Sequence, residues 1–424
     1  MSDQERDIKR FDFKRKPKKQ SNIWKLVMWG LTAPKSAKHD IQIEKINMSD
    51  LKPPYLLLSN HTSFFDFYVL AKAILPHRAN YVITLDAFKD YTEWLLRAIG
   101  GICKRRFIFD LNLIRNMKYS VTKNKNILVM YPEAKYSIDG TTSVIPKSLG
   151  KMIKLLDVPV VVLNMKGTYV ARPQWNKIKR DIPFRATMTK IISKEELQTL
   201  SIDEINAKVK KALSYNDWDY LKEANLSLPV EDRAKGLNKL LYKCPHCLEE
   251  GQMIGENTLL KCNACGKEWN FQKDGTLSSV DGEVYFDSVP KWYAWERKMV
   301  REEINNGTYH FEAKVFVQTL PNAQKYYDQG EGYLVHDYDG YHLDCKYYGK
   351  EYHNDWSVPK NYSCHIEYDY KDFGDAVALS IDNDTFWLYP QNTKDVVTKL
   401  SLATEELYKY HFKEKAKNSE KLTR

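Results

Sequence analysis

Two cysteine hooks, "CPHC" at 244–247 and "CNAC" at 262–265, divide this chain into stretches of opposite pattern. Fourteen residues separate the hooks. Four thiolates carried this way make a closed tetrahedral ligand set, the donor arrangement of a structural zinc with no position left for substrate. Gly266 follows the second hook directly, where the turn calls for glycine. Iron in a rubredoxin-like site is the alternative that the same ligands leave open. His246, inside the first hook, reads as exposed rather than ligating. Metal is therefore expected at Cys244, Cys247, Cys262 and Cys265. Its binding would fold a ribbon, residues 240–275, too small to hold itself together. Cys103, Cys345 and Cys364 are scattered. The cysteines are thus no disulfide framework and point to a reducing cytoplasm.

Before the hooks, short apolar runs alternate with helical stretches. Strands are expected at 55–59, 81–84, 127–131, 158–165 and 185–192, and helices at 64–75, 91–99, 111–123 and 148–156. "VPVVVLNM" is apolar without alternation, as a strand buried on both faces must be. "SKEELQTLSIDEINAKVKKALSY" reads as helices closing the unit. The fold class is α/β: a mixed, mostly parallel sheet flanked by helices. After the hooks, "SVPKWYAWERKMVREEINNG" reads as a helix ending at Gly307. Aromatic and β-branched runs follow, such as "YHFEAKVFVQTL" and "DTFWLYP", and then a last helix, "TKDVVTKLSLATEELYKYHF". Antiparallel strands closed by one helix resemble a pleckstrin-homology-like domain in architecture alone. Tyr368, Trp387 and Tyr389 read as its core. The expected division is 1–48, a basic segment with an interfacial helix; 49–235, the α/β domain; 240–275, the ribbon; and 285–412, the β-rich domain with its helix.

The 424 residues carry a net charge of +10. That suits a polyanionic partner, a phospholipid surface or nucleic acid. Glu249, Glu250 and Glu256 dilute the basic charge around the hooks, so nucleic acid is the unlikely partner. Lys14, Arg15, Lys16, Lys18 and Lys19 precede "NIWKLVMWGL" at 22–31. A basic run leading into a Trp-bearing apolar turn suits a membrane-surface anchor; a helix packed on its own domain is the other reading. No apolar run approaches the roughly 20 residues of a membrane span. The first residues are charged, so no signal peptide is expected.

"LLLSNHTSFFDF" at 56–67 ends a buried strand in a histidine and, five residues on, an aspartate. Ser63-x-x-Asp66 fits a capping box, a purely structural use of the carboxylate. Taken with His61 it fits another role. An aspartate on the first helical turn can hold one ring nitrogen and leave the other as a general base, needing no serine or cysteine nucleophile if the substrate brings a hydroxyl.

The order of several blocks carries a family resemblance. "NHTSFFD" resembles the N-H-x-S-x-x-D signature of the glycerolipid acyltransferases of lysophosphatidic acid type. "GGICKRR" at 100–106 resembles their glycine-to-arginine block. "VMYPEAKYS" at 129–137 resembles their F-P-E-G-T-R-S block, and "VPVVVLNM" their proline-headed strand. The resemblance spans about residues 50–215. It implies that His61 deprotonates an acceptor hydroxyl with Asp66 orienting the ring. Arg106 would hold an acceptor phosphate, and Asn60, Ser63, Glu133 and Lys135 would contribute to substrate binding. The implied acceptor is a lysophospholipid such as 1-acylglycerol-3-phosphate, and the acyl thioester donor is acyl-CoA or acyl carrier protein. The implied location is cytoplasmic, peripheral on the inner face of the cell membrane. The third block departs from the family: Ala134, Lys135 and Tyr136 stand where glycine, threonine and arginine are usual. A non-catalytic lipid-binding or regulatory protein on the same scaffold is the alternative.

Overall fold

The computed structural model describes residues 8–88 and 90–422. Its first sheet has seven strands: β1 (Gln42–Ile46), β2 (Leu56–Ser59), β3 (Ala79–Thr84), β4 (Gly101–Lys104), β5 (Ile127–Met130), β6 (Val160–Lys166) and β7 (Arg185–Ile192). Their order is β1-β7-β6-β2-β5-β3-β4, and β6 and β7 are the antiparallel pair in an otherwise parallel sheet. β2 is central because Leu56, Leu57 and Leu58 are all fully buried. Leu57, Val129 and Val161 face one core, while Leu56, Leu58, Leu128 and Val160 face the other. From β2 the chain builds β3 to β5 on one side and β6 and β7 on the other. The C-terminal end of β2 therefore opens at a switch in strand order, where open α/β sheets form crevices.

The helices lie close to their expected places at Asp66–Ile74, Asp90–Ala98, Leu111–Tyr119 and Leu149–Leu156. The third ends early: a wider turn, Ser120–Asn124, takes over before Lys125 turns left-handed at φ 54°. Ser193 and Ser201 each close a full capping box, with Glu196 and Glu204, which explains why "SKEE" and "SIDE" start helices. β1 and β4 were not among the expected strands. β1, "QIEKI", is a charged edge strand, as exposed edges tend to be.

The ribbon is four antiparallel strands, β8 (Met253–Glu256), β9 (Leu259–Cys262), β10 (Glu268–Phe271) and β11 (Leu277–Ser279). The helix Val289–Asn305 follows, with Gly307 just past its end at φ 77°. The last sheet holds β12 (Phe311–Thr319), β13 (Tyr327–His336), β14 (Gly340–Tyr347), β15 (Lys350–Ser357), β16 (His365–Glu367), β17 (Ala376–Ser380) and β18 (Thr385–Pro390). Their order is β15-β14-β13-β12-β18-β17-β16, antiparallel throughout, with the helix Val396–Leu422 closing the chain. The first strand of the seven, β12, sits at the middle of the sheet between β13 and β18. Tyr368, Trp387 and Tyr389 are buried in it.

The buried core runs unbroken from the Leu57 face of the first sheet through Trp269 of the ribbon to Leu343 of the last sheet. A buried cation clamps the outer contacts. Arg105 donates to Leu320 O, Pro321 O, Asn383 O and Thr385 Oγ1. The N-terminal stretch is also pinned through its backbone, since Asn116, Asn124 and Asn80 donate to Phe13 O, Pro17 O and Lys18 O. Its side chains Lys14, Arg15, Lys16, Lys18 and Lys19 remain exposed. The helix that follows, Asn22–Lys38, runs past the expected turn and contains Pro34. One side of it packs, with Trp24 against Trp94 at 5.6 Å. Its other side leaves Ile23, Leu26 and Trp29 more than half exposed, at 71%, 63% and 53%. Among the described residues no helix is long and apolar enough to cross a membrane.

Candidate active site and metal centre

His61 lies in the turn directly after β2, and Asp66 opens the next helix. His61 Nδ1 is 2.9 Å from Asp66 Oδ2. The same carboxylate accepts from Thr62 N, Ser63 N and Thr62 Oγ1 at 2.7, 3.1 and 2.9 Å. Asp66 is thus an acceptor saturated by donors, with 1% of its surface exposed. Such an acceptor takes a proton-bearing Nδ1, and that choice of tautomer leaves Nε2 with its lone pair. Thr62 and Ser63 tie the turn to the short helix that follows β6, Thr168–Ala171, through Thr168 Oγ1 and Thr168 O. The ring stacks on Tyr131 at 3.9 Å and touches Tyr136 at 4.3 Å. The expected capping box is only half present: Asp66 accepts from Ser63 N, but Ser63 Oγ accepts from Phe65 N instead of Asp66 N.

A cavity of about 410 Å³ opens beside His61. Phe67, Leu70, Ile83, Leu96 and Ile99 form an apolar wall, and Asp86, Lys104, Arg106, Tyr136 and Glu367 form a polar end. Arg106 lines it, and its guanidinium is held in a fork by Asp86 Oδ1 and Oδ2 at 2.7 and 3.1 Å. The Gly100 of the same block is needed as glycine. Its φ is +96°, and a Cβ there would meet Ala79 O at 2.8 Å.

Three expected substrate contacts are engaged elsewhere. Asn60 is fully buried, and its amide pairs with both Met165 O and Met165 N at 2.8 Å, stitching β2 to β6. Glu133 is fully buried and accepts from Ser143 N at 3.2 Å. Burial pushes its carboxyl up to about 8, so it holds its proton near neutrality. Lys135 lines the cavity with part of its side chain, but its ammonium leaves it for Glu405 Oε1 at 2.7 Å, with Ser363 and Ser401 alongside. Conversely, Asp86, Lys104 and Glu367 were not expected. Asp86 follows a strand end as His61 does, which was a usable signal. Glu367 comes from β16 and carried none.

The Lys135–Glu405 pair is only 5% and 3% exposed, and Arg297 bonds the other Glu405 oxygen at 2.7 Å. Removing one member of a buried pair strands the other, so Glu405→Ala is expected to cost about 3–5 kcal/mol in chemical denaturation. Burial alone would raise the Glu405 carboxyl; Lys135 and Arg297 outweigh it and hold it at about 2, below its ordinary 4.5. The sign follows: this stability is full above about pH 4.5 and is lost as pH falls towards 2. A Glu405→Gln chain should show a flatter melting profile over that window.

The four cysteine sulfurs all lie within 4.8 Å of one another. Cys244 Sγ and Cys265 Sγ are 3.8 Å apart, and Cys247 Sγ and Cys262 Sγ 3.7 Å. Four sulfurs at about 2.3 Å from one ion in a tetrahedron are about 3.8 Å apart, so the set fits zinc. Gly266 turns at φ 75°, and its amide closes on Cys262 O. His246 is exposed and packs on Tyr285.

The family model described as Acyltransferase matches residues 40–166. These residues form an acyltransferase domain. The matched stretch of that domain holds β1 to β6, the His61–Asp66 pair and the polar end of the cavity apart from Glu367. Among solved structures, the chain is similar to the 1-acyl-sn-glycerophosphate (LPA) acyltransferase PlsC from Thermotoga maritima. Identity is 14%, with 45% of this chain and 76% of that chain covered at a TM-score of 0.37. No curated protein matches the chain.

Proposed function

We propose that the protein is an O-acyltransferase moving a fatty acyl group from an acyl thioester, acyl-CoA or acyl carrier protein, to a lysolipid hydroxyl. The observation that carries this is the His61–Asp66 pair at 2.9 Å, set at the rim of an apolar cavity within an acyltransferase domain. His61 Nε2 takes the hydroxyl proton as the oxygen attacks the thioester carbonyl. The C–S bond then breaks, and the departing thiolate recovers that proton. The apolar wall houses an alkyl chain. The acceptor that the family resemblance implies is 1-acylglycerol-3-phosphate, with the polar end of the cavity setting the head group. The division at 49–235, 240–275 and 285–412 assigns chemistry to the first part and a structural zinc to the second.

Purified full-length protein should release free thiol from acyl-CoA or acyl carrier protein only when a lysolipid is supplied. No release above a His61→Ala background, with any hydroxylated lysolipid, would overturn the reading. It would select a lipid-binding protein without catalysis, which the loss of the third-block arginine at Tyr136 favours.

The proposed place of action is the cytoplasmic membrane face. The exposed Ile23, Leu26 and Trp29 beside the basic run at 14–19 support it, since apolar insertion and attraction to anionic lipid act together there. Leu26→Ser with Trp29→Ser is expected to weaken sedimentation with anionic vesicles by about tenfold or more, from lost apolar burial. Unchanged sedimentation would remove the helix as an anchor.

A further inference from the structure

We infer that the acceptor taken beside His61 bears no phosphate next to its reactive hydroxyl, and that Glu367 of the C-terminal sheet enforces this choice. The inference rests on the reading of the cavity as an acyl-transfer site, and it replaces the phosphorylated acceptor of the family resemblance.

The guanidinium that a phosphate would use is already engaged, and a second expected cation points away. The Arg106 fork is filled by both Asp86 oxygens, at 2.7 and 3.1 Å. Guanidinium forks bind phosphate with the same geometry, so a phosphate must evict a carboxylate that is itself mostly buried. The Lys135 ammonium is bound to Glu405, away from the cavity. Tyr136 occupies the position of the family's third-block arginine and offers no charge. Lys104 remains: burial followed by repulsion from Arg106 draws it down to about 8, with Asp110 opposing that fall, so it keeps most of its charge at neutral pH and is, among the described residues, the one cavity cation not held in a carboxylate fork.

Two carboxylates share the same cavity. Asp86 and Glu367 both line it with His61. Glu367 reaches it from β16, held by His365 Nε2 at 3.1 Å. That histidine is 1% exposed; burial, then Arg106 nearby, lower its pKa, so it arrives neutral and orients Glu367 without cancelling its charge. Asp86 is taken up by the Arg106 fork, so Glu367 is the carboxylate that a phosphate dianion placed here would face, and its repulsion offsets the attraction of Lys104. A neutral glycerol or an amine-bearing head group finds hydrogen-bond acceptors instead. The apolar wall is unchanged by this argument, so the acceptor is still a lipid.

The test pairs two acceptors that differ only in phosphate: 1-monoacylglycerol and 1-acylglycerol-3-phosphate with the same acyl chain, in neutral detergent micelles with acyl-CoA. The full-length protein is expected to show a kcat/KM at least about tenfold higher for the monoacylglycerol, the scale at which an unpaired or repelled polar group discriminates. Glu367→Gln should shrink that ratio about tenfold, and Asp86→Asn, which releases the Arg106 fork, should shrink it too. A preference for the phosphate, or variants that change both acceptors equally, overturns the proposal. Binding decides it without turnover. On His61→Ala, displacement of a fluorescent fatty acyl probe by each acceptor should keep the same order, and the reverse order overturns it. Failure of acyl transfer with both acceptors would count against the enzyme reading alone, since this displacement still reports the head-group preference.

Discussion

Replacing His61 with alanine should lower acyl transfer by about 10²- to 10⁴-fold, the worth of a positioned general base. KM should change little, because the ring touches the reacting hydroxyl and not the alkyl chain. Loss of the ring also leaves Asp66 with its three other donors, all from Thr62 and Ser63, so the turn should hold its shape. Thermal melting of His61→Ala should therefore stay near that of the parent chain. Asp66→Asn is a different experiment. The carboxylate receives four hydrogen bonds while 1% exposed, and an amide nitrogen in place of one oxygen would point a donor at a donor. This should cost about 1–3 kcal/mol of stability and a rate loss approaching that of His61→Ala, since the tautomer is no longer held. Activity in both variants within threefold of the parent would end the general-base assignment.

The site was legible where its parts are local. His61 and Asp66 are five residues apart, so one strand end and one helical turn bring them together without any tertiary knowledge. Asn60 was expected to contact substrate, and its amide pairs with Met165, because a buried amide facing a neighbouring strand leaves the same trace in a motif as one facing substrate. Lys135 and Glu367 were out of reach. Their partners or their cavity lie more than two hundred residues away along the chain, and no periodicity encodes that. The fold divides in the same way. β2, β5 and β6 announce themselves as apolar runs because both their faces are covered, whereas the charged edge strand β1 does not. β14 and β15 keep period-two burial, but with Asp344, Lys346, His353 and Asp355 on the open face, and their hairpin turns at Tyr348 and Gly349 with φ of 49° and 81°. That turn demands positive φ at both positions, and a tyrosine at the first of them hides it.

Removing metal from the four-cysteine site should have the largest structural effect of all. A structural zinc in such a set contributes about 10–16 kcal/mol of apparent binding energy at neutral pH, and in a small ribbon that energy is folding energy. The damage should not stay local. Trp269 of β10 is fully buried and meets Trp292 at 4.9 Å, and Trp292 Nε1 donates to Lys243 O, one residue before the first ligand. Glu296 on the same helix accepts from Lys243 N at 2.9 Å. That helix, Val289–Asn305, also carries Arg297, which completes the Lys135–Glu405 cluster next to Tyr136 of the candidate site. Metal loss should therefore move the tryptophan near-ultraviolet signal first and then loosen the contact that fixes the C-terminal sheet against the cavity. Elemental analysis should find one zinc per chain, and Cys262→Ser should lose it. A strong chelator that strips the metal yet leaves both the tryptophan signal and the melting temperature unmoved would show that the hooks hold their shape without the ion, and the ribbon would then owe its stability to Trp269 and its apolar neighbours alone.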